Sequence, residues 1–367
     1  MSLFRPLPTA VAAVTCLVAG AVAAQCCSVP VFRYALDHWP LDPFRLEVAQ
    51  SDFRSDSLAN TLRNLGENSP FNLEAERSND PAAPSRLFAP IRGRSQGQTE
   101  SPPPLWEGAL TSDAFKALTD SPARREIARL ILEGHSMVWI LVETGQNTED
   151  EPARKLFEQR LRFLEQVSEL PPIDPSDPSN KIGPGPQLAL KLALLRVSRN
   201  NPAETHFLKM LAGPNGLDSL PPEKPFAAVV FGRGRVLGAW SDPDESTIEE
   251  ASRFLMGACS CQVKNQNPGW DLLSPTAWDE SLRIADQKRV AALEASSQKS
   301  PEAGSTAQKA TPQPETVVFQ STSNPPDKSP ESSRSLITSS VFRTTLAMLL
   351  VAFSLVLAVA ARRPKRP

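Results

Sequence analysis

Met137-Val138-Trp139-Ile140-Leu141-Val142 is an uninterrupted apolar run, and its reading decides the fold. Six apolar residues without alternation are what a strand covered on both faces requires. Working outward, residues 145–151 form a polar loop, and Pro152 suits the first turn of a following helix. Phe157, Leu161, Leu164 and Val167 recur at helical spacing as far as Leu170, where Pro171-Pro172 ends the pattern. Leu188, Leu190, Leu192 and Leu194 alternate within 188–197 and predict a second strand. Asn201-Pro202 opens a helix over 203–212, closed by Gly213-Pro214. Pro225 precedes a third strand over 226–231, and Gly232-Arg233-Gly234 turns it into a fourth over 236–240, a hairpin. Ser246, with Glu249 three residues later, predicts a capped last helix that ends at Met256-Gly257.

The order strand, helix, strand, helix, proline, strand, hairpin strand, helix resembles the thioredoxin fold over residues 135–258. The resemblance implies that Pro225 is the cis-proline of that fold and that a Cys-x-x-Cys opens the helix after the first strand. There the positive end of a helix lowers a thiol pKa and favours the thiolate. In this chain the stretch reads Gly145-Gln146-Asn147-Thr148-Glu149-Asp150-Glu151-Pro152 and holds no cysteine. Its acidic residues are expected to act as favourable capping charges, and the domain is not expected to exchange disulfides.

Residues 25–134 read as a second, incomplete copy. Helices are expected over 31–39 and 58–65, strands over 44–49, 71–76 and 105–110, and helical structure over 114–132, with a proline-rich insertion from Pro81 to Pro104. No first strand fits ahead of the opening helix. The expected fold class is therefore α/β, a thioredoxin-like domain or two in tandem with the first incomplete, plus one C-terminal transmembrane helix.

The two ends give an address. Residues 1–24 carry one arginine, a short apolar core and the small residues Ala21-Val22-Ala23-Ala24, the layout of a cleaved signal peptide. Gln25 stands where a lipoprotein signal would need a small residue before Cys26. Thr344 to Ala361 is uncharged, and Val341-Phe342 extend it, so 341–361 is expected to span a bilayer. The basic tail 362–367 should stay on the cytoplasmic side. Between globule and anchor, 295–340 is rich in Ser, Pro, Gln, Lys and Thr, and is expected to be a disordered stalk. The expected location is the cell membrane, single-pass, with the bulk of the chain extracytoplasmic.

Cys16 leaves with the signal, so Cys26, Cys27, Cys259 and Cys261 remain, clustered at the two ends of the globular region. In an oxidising compartment an even set points to disulfides, and four thiols allow three pairings. Cys26-Cys27 and Cys259-Ser260-Cys261 would each close a strained ring, which favours cross-links between the ends. Two other readings stay open: a monothiol in Cys26-Cys27-Ser28-Val29-Pro30, which matches a thioredoxin motif with Val29 in place of the second cysteine, resolving onto Cys259 or Cys261, and a soft metal such as Cu(I) or Zn²⁺ held by the four sulfurs. The segments from Cys27 to Leu36 and from Cys259 to Gly269 also resemble an uncharacterised family of exported, membrane-anchored bacterial proteins, a resemblance that implies an envelope location and no activity. Residues 259–294 are read as a Cys-x-Cys segment and C-terminal extension, with Trp270 and Trp278 packing it onto the core.

Composition narrows the function. Lys plus Arg number 39 against 41 acidic residues, which argues against a nucleic-acid partner. Three histidines and one tyrosine leave little material for acid–base catalysis. Gly232-Arg-Gly-Arg-Val-Leu-Gly238 imitates a dinucleotide fingerprint but sits in a predicted hairpin, and Gly134-His135-Ser136 precedes a strand where a nucleophile elbow would follow one. The 36 prolines, about twice ordinary usage, divide between stalk and element breaks. The expected function is a membrane-anchored binding or assembly protein with no cofactor, partnered by an envelope or membrane protein. The alternative is a thiol–disulfide or copper-handling protein using the four cysteines.

Overall fold

The computed structural model describes residues 28–52, 60, 62, 65, 69–90, 103–298 and 315–319. Helix α1 (Val31–His38) opens it, followed by β1 (Phe44–Val48), β2 (Leu73–Arg77), β3 (Ser85–Phe88) and β4 (Trp106–Gly108). Helices α2 (Ser112–Thr119) and α3 (Pro122–Leu132) lead into β5 (Met137–Glu143), α4 (Asn147–Val167), β6 (Leu192–Ser198) and α5 (Thr205–Leu211). The hairpin β7 (Phe226–Phe231) and β8 (Arg235–Ser241), then α6 (Glu245–Met256), α7 (Cys261–Gln266), β9 (Trp270–Asp271), α8 (Trp278–Gln298) and β10 (Glu315–Phe319) complete it. The expected signal peptide, membrane span and basic tail lie outside the described residues. Among the described residues no helix is long and apolar enough to cross a membrane.

The fold is mixed α/β with two sheets, ordered β2-β1-β3-β4 and β10-β6-β5-β7-β8-β9. Met137–Val142 is the interior strand its composition requires: each of these residues is fully buried, the run pairs parallel with β6, and Val138–Val142 pair antiparallel with β7. One face of this sheet presents Met137, Trp139, Leu141, Ala227, Val229 and Phe231 to α1, α4 and α6. The other presents Val138, Ile140, Val142, Ala228 and Val230 to α3 and α5, in a core that continues into β1, β2 and β3. Residues 25–134 and 135–258 therefore share one hydrophobic core. Phe157, Leu161 and Leu164 of α4 are completely buried, each contributing roughly 1.5–3 kcal/mol of apolar burial.

The first sheet is more complete than its sequence suggests. Its three pairings run β1 with β2 parallel, and β1 with β3 and β3 with β4 antiparallel. The run β6-β5-β7-β8 of the second sheet has the same order and the same directions. Helix α1 was expected to open the first copy. Instead, Val31, Phe32, Ala35 and Trp39 pack on the second sheet, which leaves β1 as the first strand that seemed to be missing. Strand β3 lies inside the expected proline-rich insertion; it has four residues, and Pro84 stands just ahead of it, where proline costs the ladder least. Ser85 is fully buried there, donating to Asp52 Oδ2 at 2.7 Å and accepting from Ala49 N at 2.8 Å.

Other boundaries differ for local reasons. Helix α4 starts at Asn147, which places Pro152 inside the helix. Asp244, and not Ser246, caps α6: its Oδ1 accepts Thr247 N at 2.9 Å and the Ser246 hydroxyl at 2.9 Å. No peptide bond among the described residues is cis, so Pro225 enters β7 through a trans bond, contrary to the expectation. Trans is the lower-energy isomer of an X–Pro bond, and the Pro225 carbonyl accepts Asp242 N at 2.9 Å, extending the hairpin ladder. Within the expected stalk 295–340, α8 runs to Gln298 and residues 315–319 pair parallel with β6, while its remaining residues lie outside the described ones. Thr316-Val317-Val318-Phe319 is a short β-branched and aromatic run suited to an open sheet edge.

At the opposite edge, Gly269 (φ +94) lets β9 lie against β8, since a Cβ there would stand 2.1 Å from the Val236 carbonyl oxygen. That approach brings Asp271 onto Arg235 as a bidentate pair at 2.8 and 2.9 Å, both side chains within 2 % of full burial. Asp271 Oδ2 also accepts Asp42 N at 2.7 Å, just ahead of β1. Removing one partner of a buried pair strands a charge, so Arg235→Met is expected to cost about 3–5 kcal/mol in denaturant unfolding. The double variant Arg235→Met/Asp271→Leu should recover most of that loss.

Candidate functional site

Two places carry the chemistry raised by the sequence: the head of α4 and the junction where the two cysteine-bearing ends meet. At the head of α4, Asp150 is buried. Its Oδ1 accepts the Thr144 amide at 2.8 Å and the Thr144 hydroxyl at 3.0 Å, while Oδ2 accepts the Gly145 amide at 2.8 Å. The carboxylate thus ties down the loop leaving β5, a folding role. Glu149 reaches across to Lys224, beside Pro225, at 2.8 Å, and Asp242 lies 3.5 Å from the same ammonium. Glu149 first, then Asp242, hold the Lys224 pKa above its ordinary value. Arg154, through hydrogen bonds at 2.6 and 2.8 Å, pulls the half-buried Glu151 carboxyl down to about 2. The acidic residues read as capping charges are thus engaged with the loop or with cations, and no thiol stands among them.

The second place is built by a short antiparallel ladder. Pro30 bridges Ala258, with Val31 N donating to Gly257 O and Cys259 N to Val29 O, both at 2.9 Å. Ser28 N donates to Asn180 Oδ1 at 2.8 Å, and Asn180 in turn donates to Asp174 O at 3.0 Å. Cys259 is completely buried in the cluster formed with Val31, Phe32, Trp139 and Met256. Cys261 is exposed at the first position of α7, which Ser260 caps. Cys26 and Cys27 lie outside the described residues, two residues and one residue ahead of Ser28. The ladder therefore brings the two ends of the globular region together, and it separates Cys259 from Cys261 by burial. Asn180 gave no signal in the sequence, because its loop of prolines and serines has no periodicity.

The remaining motif residues have structural places. Gly232 and Gly234 take φ of +58 and +106 in the hairpin turn, so the glycine pattern closes a hairpin and opens no phosphate-binding helix. The Arg233 Nε in that turn donates to Leu36 O at 2.9 Å, tying the hairpin to α1. Trp270 Nε1 donates to Met210 O at 3.0 Å, and the buried Trp278 donates to Ser274 Oγ at 3.2 Å, so both anchor the extension. His135 Nδ1 lies 3.0 Å from Leu130 O at the end of α3. The His38 ring meets Tyr34 in a tilted contact with ring centroids 4.5 Å apart. Among the described residues no group of three or more His, Cys, Asp or Glu side chains is arranged to hold a metal.

One polar cluster has no counterpart in the sequence reading. Between α3 and the turn that opens α5, Glu204 is fully buried and accepts Ala123 N at 2.8 Å. Arg124, also buried, donates to Met210 Sδ at 3.1 Å. Burial lowers the Arg124 pKa to about 10 and raises that of Glu204. Burial, then Lys209 and Arg124, hold His206 below its ordinary value.

Asp150→Ala should lower stability by ~1–2 kcal/mol in thermal or denaturant unfolding, the range for a lost cap, without creating any redox activity. For His206, the folded chain binds a proton less readily than the unfolded one. Its contribution is complete above the unfolded value near 6.5 and is lost as pH falls below it. Wild type should therefore lose melting temperature relative to His206→Gln between pH 7.5 and 5.5. Compared with known proteins, the chain matches no family model, no curated protein and no solved structure.

Proposed function

We propose that this chain is a membrane-anchored extracytoplasmic binding or assembly protein whose thioredoxin-like core is redox-inactive. The thioredoxin-like reading is supported by the order β6-β5-β7-β8, with one parallel and two antiparallel pairings, and by the succession of α4, α5, Pro225 and α6 around it. The same order in β2-β1-β3-β4 supports a tandem arrangement. The observation that carries the functional reading is the head of α4. Where a thioredoxin-like enzyme presents its thiols, this chain has Asp150 occupied by the Thr144 and Gly145 amides, and Glu149 paired with Lys224 next to Pro225. Such a helix end stabilises the fold and offers no nucleophile.

The address rests on the sequence. An apolar run over 344–361 followed by Arg362-Arg363, and a signal-like run ending near Ala24, support an exported globule with a short inner tail. An anchored domain without its own chemistry is suited to holding another envelope or membrane protein at the bilayer. The full chain should be cleaved by protease added outside intact cells, with an epitope on the C-terminal tail protected. In insulin-disulfide reduction it should stay at the uncatalysed rate. Catalysed reduction abolished by serine at Cys26, Cys27, Cys259 and Cys261 together would replace this reading with the thiol–disulfide alternative.

A further inference from the structure

We propose that the outer edge of β6 is a docking site for an extended peptide, held in the isolated chain by its own Glu315–Phe319 and taken by a matching segment of a partner protein. The inner edge of β6 is fully used: all of it pairs with β5, from Leu192 opposite Met137 to Ser198 opposite Glu143, without a bulge. The outer edge receives β10 alone. Sheets protect an open edge with charged side chains, proline, bulges or very short strands. None of these guards β6, which has no proline and whose one charged side chain, Arg196, is engaged by Glu143 of β5 at 2.7 Å. Leu192 and Leu194 are buried with α4, and Ala193, Leu195 and Val197 with α5. Packing on both faces thus fixes the strand in its layer, with its outer N–H and C=O groups in need of a partner.

Strand β10 is joined to the sheet as a ligand would be. Residues 299–314 separate it from α8, and Pro312 and Pro314 stand just ahead of it. It lies parallel to β6, from Glu315 opposite Ala193 to Phe319 opposite Val197, and pairs with no other strand among the described residues. Strand addition draws its affinity from main-chain hydrogen bonds and its selectivity from alternate side chains. Five residues make few such bonds, and a flexible tether compensates by holding them at a millimolar effective concentration. The same segment of a second copy makes no additional bond, so it does not overcome that advantage at ordinary protein concentrations. A partner's segment does, because β10 leaves one end of the site uncovered: pairing stops at Val197 while β6 continues to Ser198. At the other end Glu165 Oε1 of α4 accepts Leu192 N at 2.6 Å and closes the site. The partner that fits is an extended, proline-free run of β-branched and aromatic residues, parallel to β6 and longer than β10 at its C-terminal end.

The test uses the full chain in detergent and a fluorescent peptide with the sequence of residues 313–322. In Val317→Pro/Val318→Pro one donor to the ladder is lost whichever way the strand is turned, because neighbouring amides point to opposite sides. That variant should bind the peptide about tenfold more tightly than wild type, since the internal ligand no longer competes. Val317→Gly/Val318→Gly, which weakens the strand and keeps both donors, should fall between them. A peptide carrying Gln320→Val should bind more tightly still, and one carrying the two prolines should bind none of the chains. Hydrogen exchange over 192–198 should be faster in the proline variant than in wild type and should slow again when peptide is added. Peptide bound by no chain at millimolar concentration, binding that leaves exchange over 192–198 unmoved, or exchange there that is equal in wild type and variant would each overturn the site. A wild-type dimer that the two prolines abolish would assign the edge to a second copy and overturn the partner. The site deepens the binding reading above and rests on it only for its use in the cell. Failure of the peptide would strike the edge and leave that reading to its protease and insulin tests; a bound peptide on a globule that resists external protease would refute the address and keep the site.

Discussion

The bidentate contact of Arg235 with Asp271 fixes the edge of the second sheet and holds Asp271 where it meets the approach to the first. Asp271 belongs to the two-residue strand β9, and Arg235 opens β8. Alone, the pair would be a costly way to finish a sheet edge, because both charges leave water and their attraction only about offsets that penalty. Its value lies in the further bonds. Asp271 accepts the Asp42 amide, Arg235 donates to Asn267 O at 3.3 Å, and its guanidinium lies 5.4 Å from the Trp39 ring centroid. Asn72 continues the connection, donating to Asp42 O and Leu272 O and accepting from Ser274 N. One carboxylate and one amide thus fix the approach to β1 and β2 against the edge of the second sheet. Burial lowers the Arg235 pKa, with Asp271 opposing it, as expected of a charge kept indoors by its partner.

That dependence explains why 25–134 and 135–258 do not behave as separate bodies. Helices α2 and α3 place Phe115, Leu118, Ile127 and Leu130 between the first sheet and the inner face of the second. A repeat of the same strand order is present twice, but the copies share a core. Neither sheet could be withdrawn without exposing the other.

Legibility in the sequence followed burial. Met137–Val142 and Phe226–Phe231 were readable because strands covered on both faces need continuous apolar residues, a signal few loops imitate. Strand β3 was not readable: Ser85-Arg86-Leu87-Phe88 is short, flanked by proline, and held by Ser85 and Asp52, a pairing that no local pattern encodes. Helix α1 was read correctly as a helix and assigned to the wrong layer, since its apolar residues do not say which sheet they will meet. The capping role of the acidic stretch was legible from helix electrostatics, but the choice of Asp150 depended on the turn at Thr144 and Gly145. Asn180 and the Arg124–Glu204 neighbourhood were invisible, because both arise from contacts between residues about eighty or more positions apart.

The two candidate places obey one constraint from opposite ends of the same sheet layer. At the head of α4, polar groups that would otherwise face an incoming substrate are consumed by the loop itself. At the ladder of 28–31 with 257–259, backbone groups at the start of the globule are consumed by the end of α6. Each arrangement spends its hydrogen-bonding capacity inward, and what remains outward is mostly charged helix surface, with Phe163, Val167 and Phe254 among the exposed apolar side chains of α4 and α6. A surface of that kind supports recognition by shape and charge better than it supports bond-making.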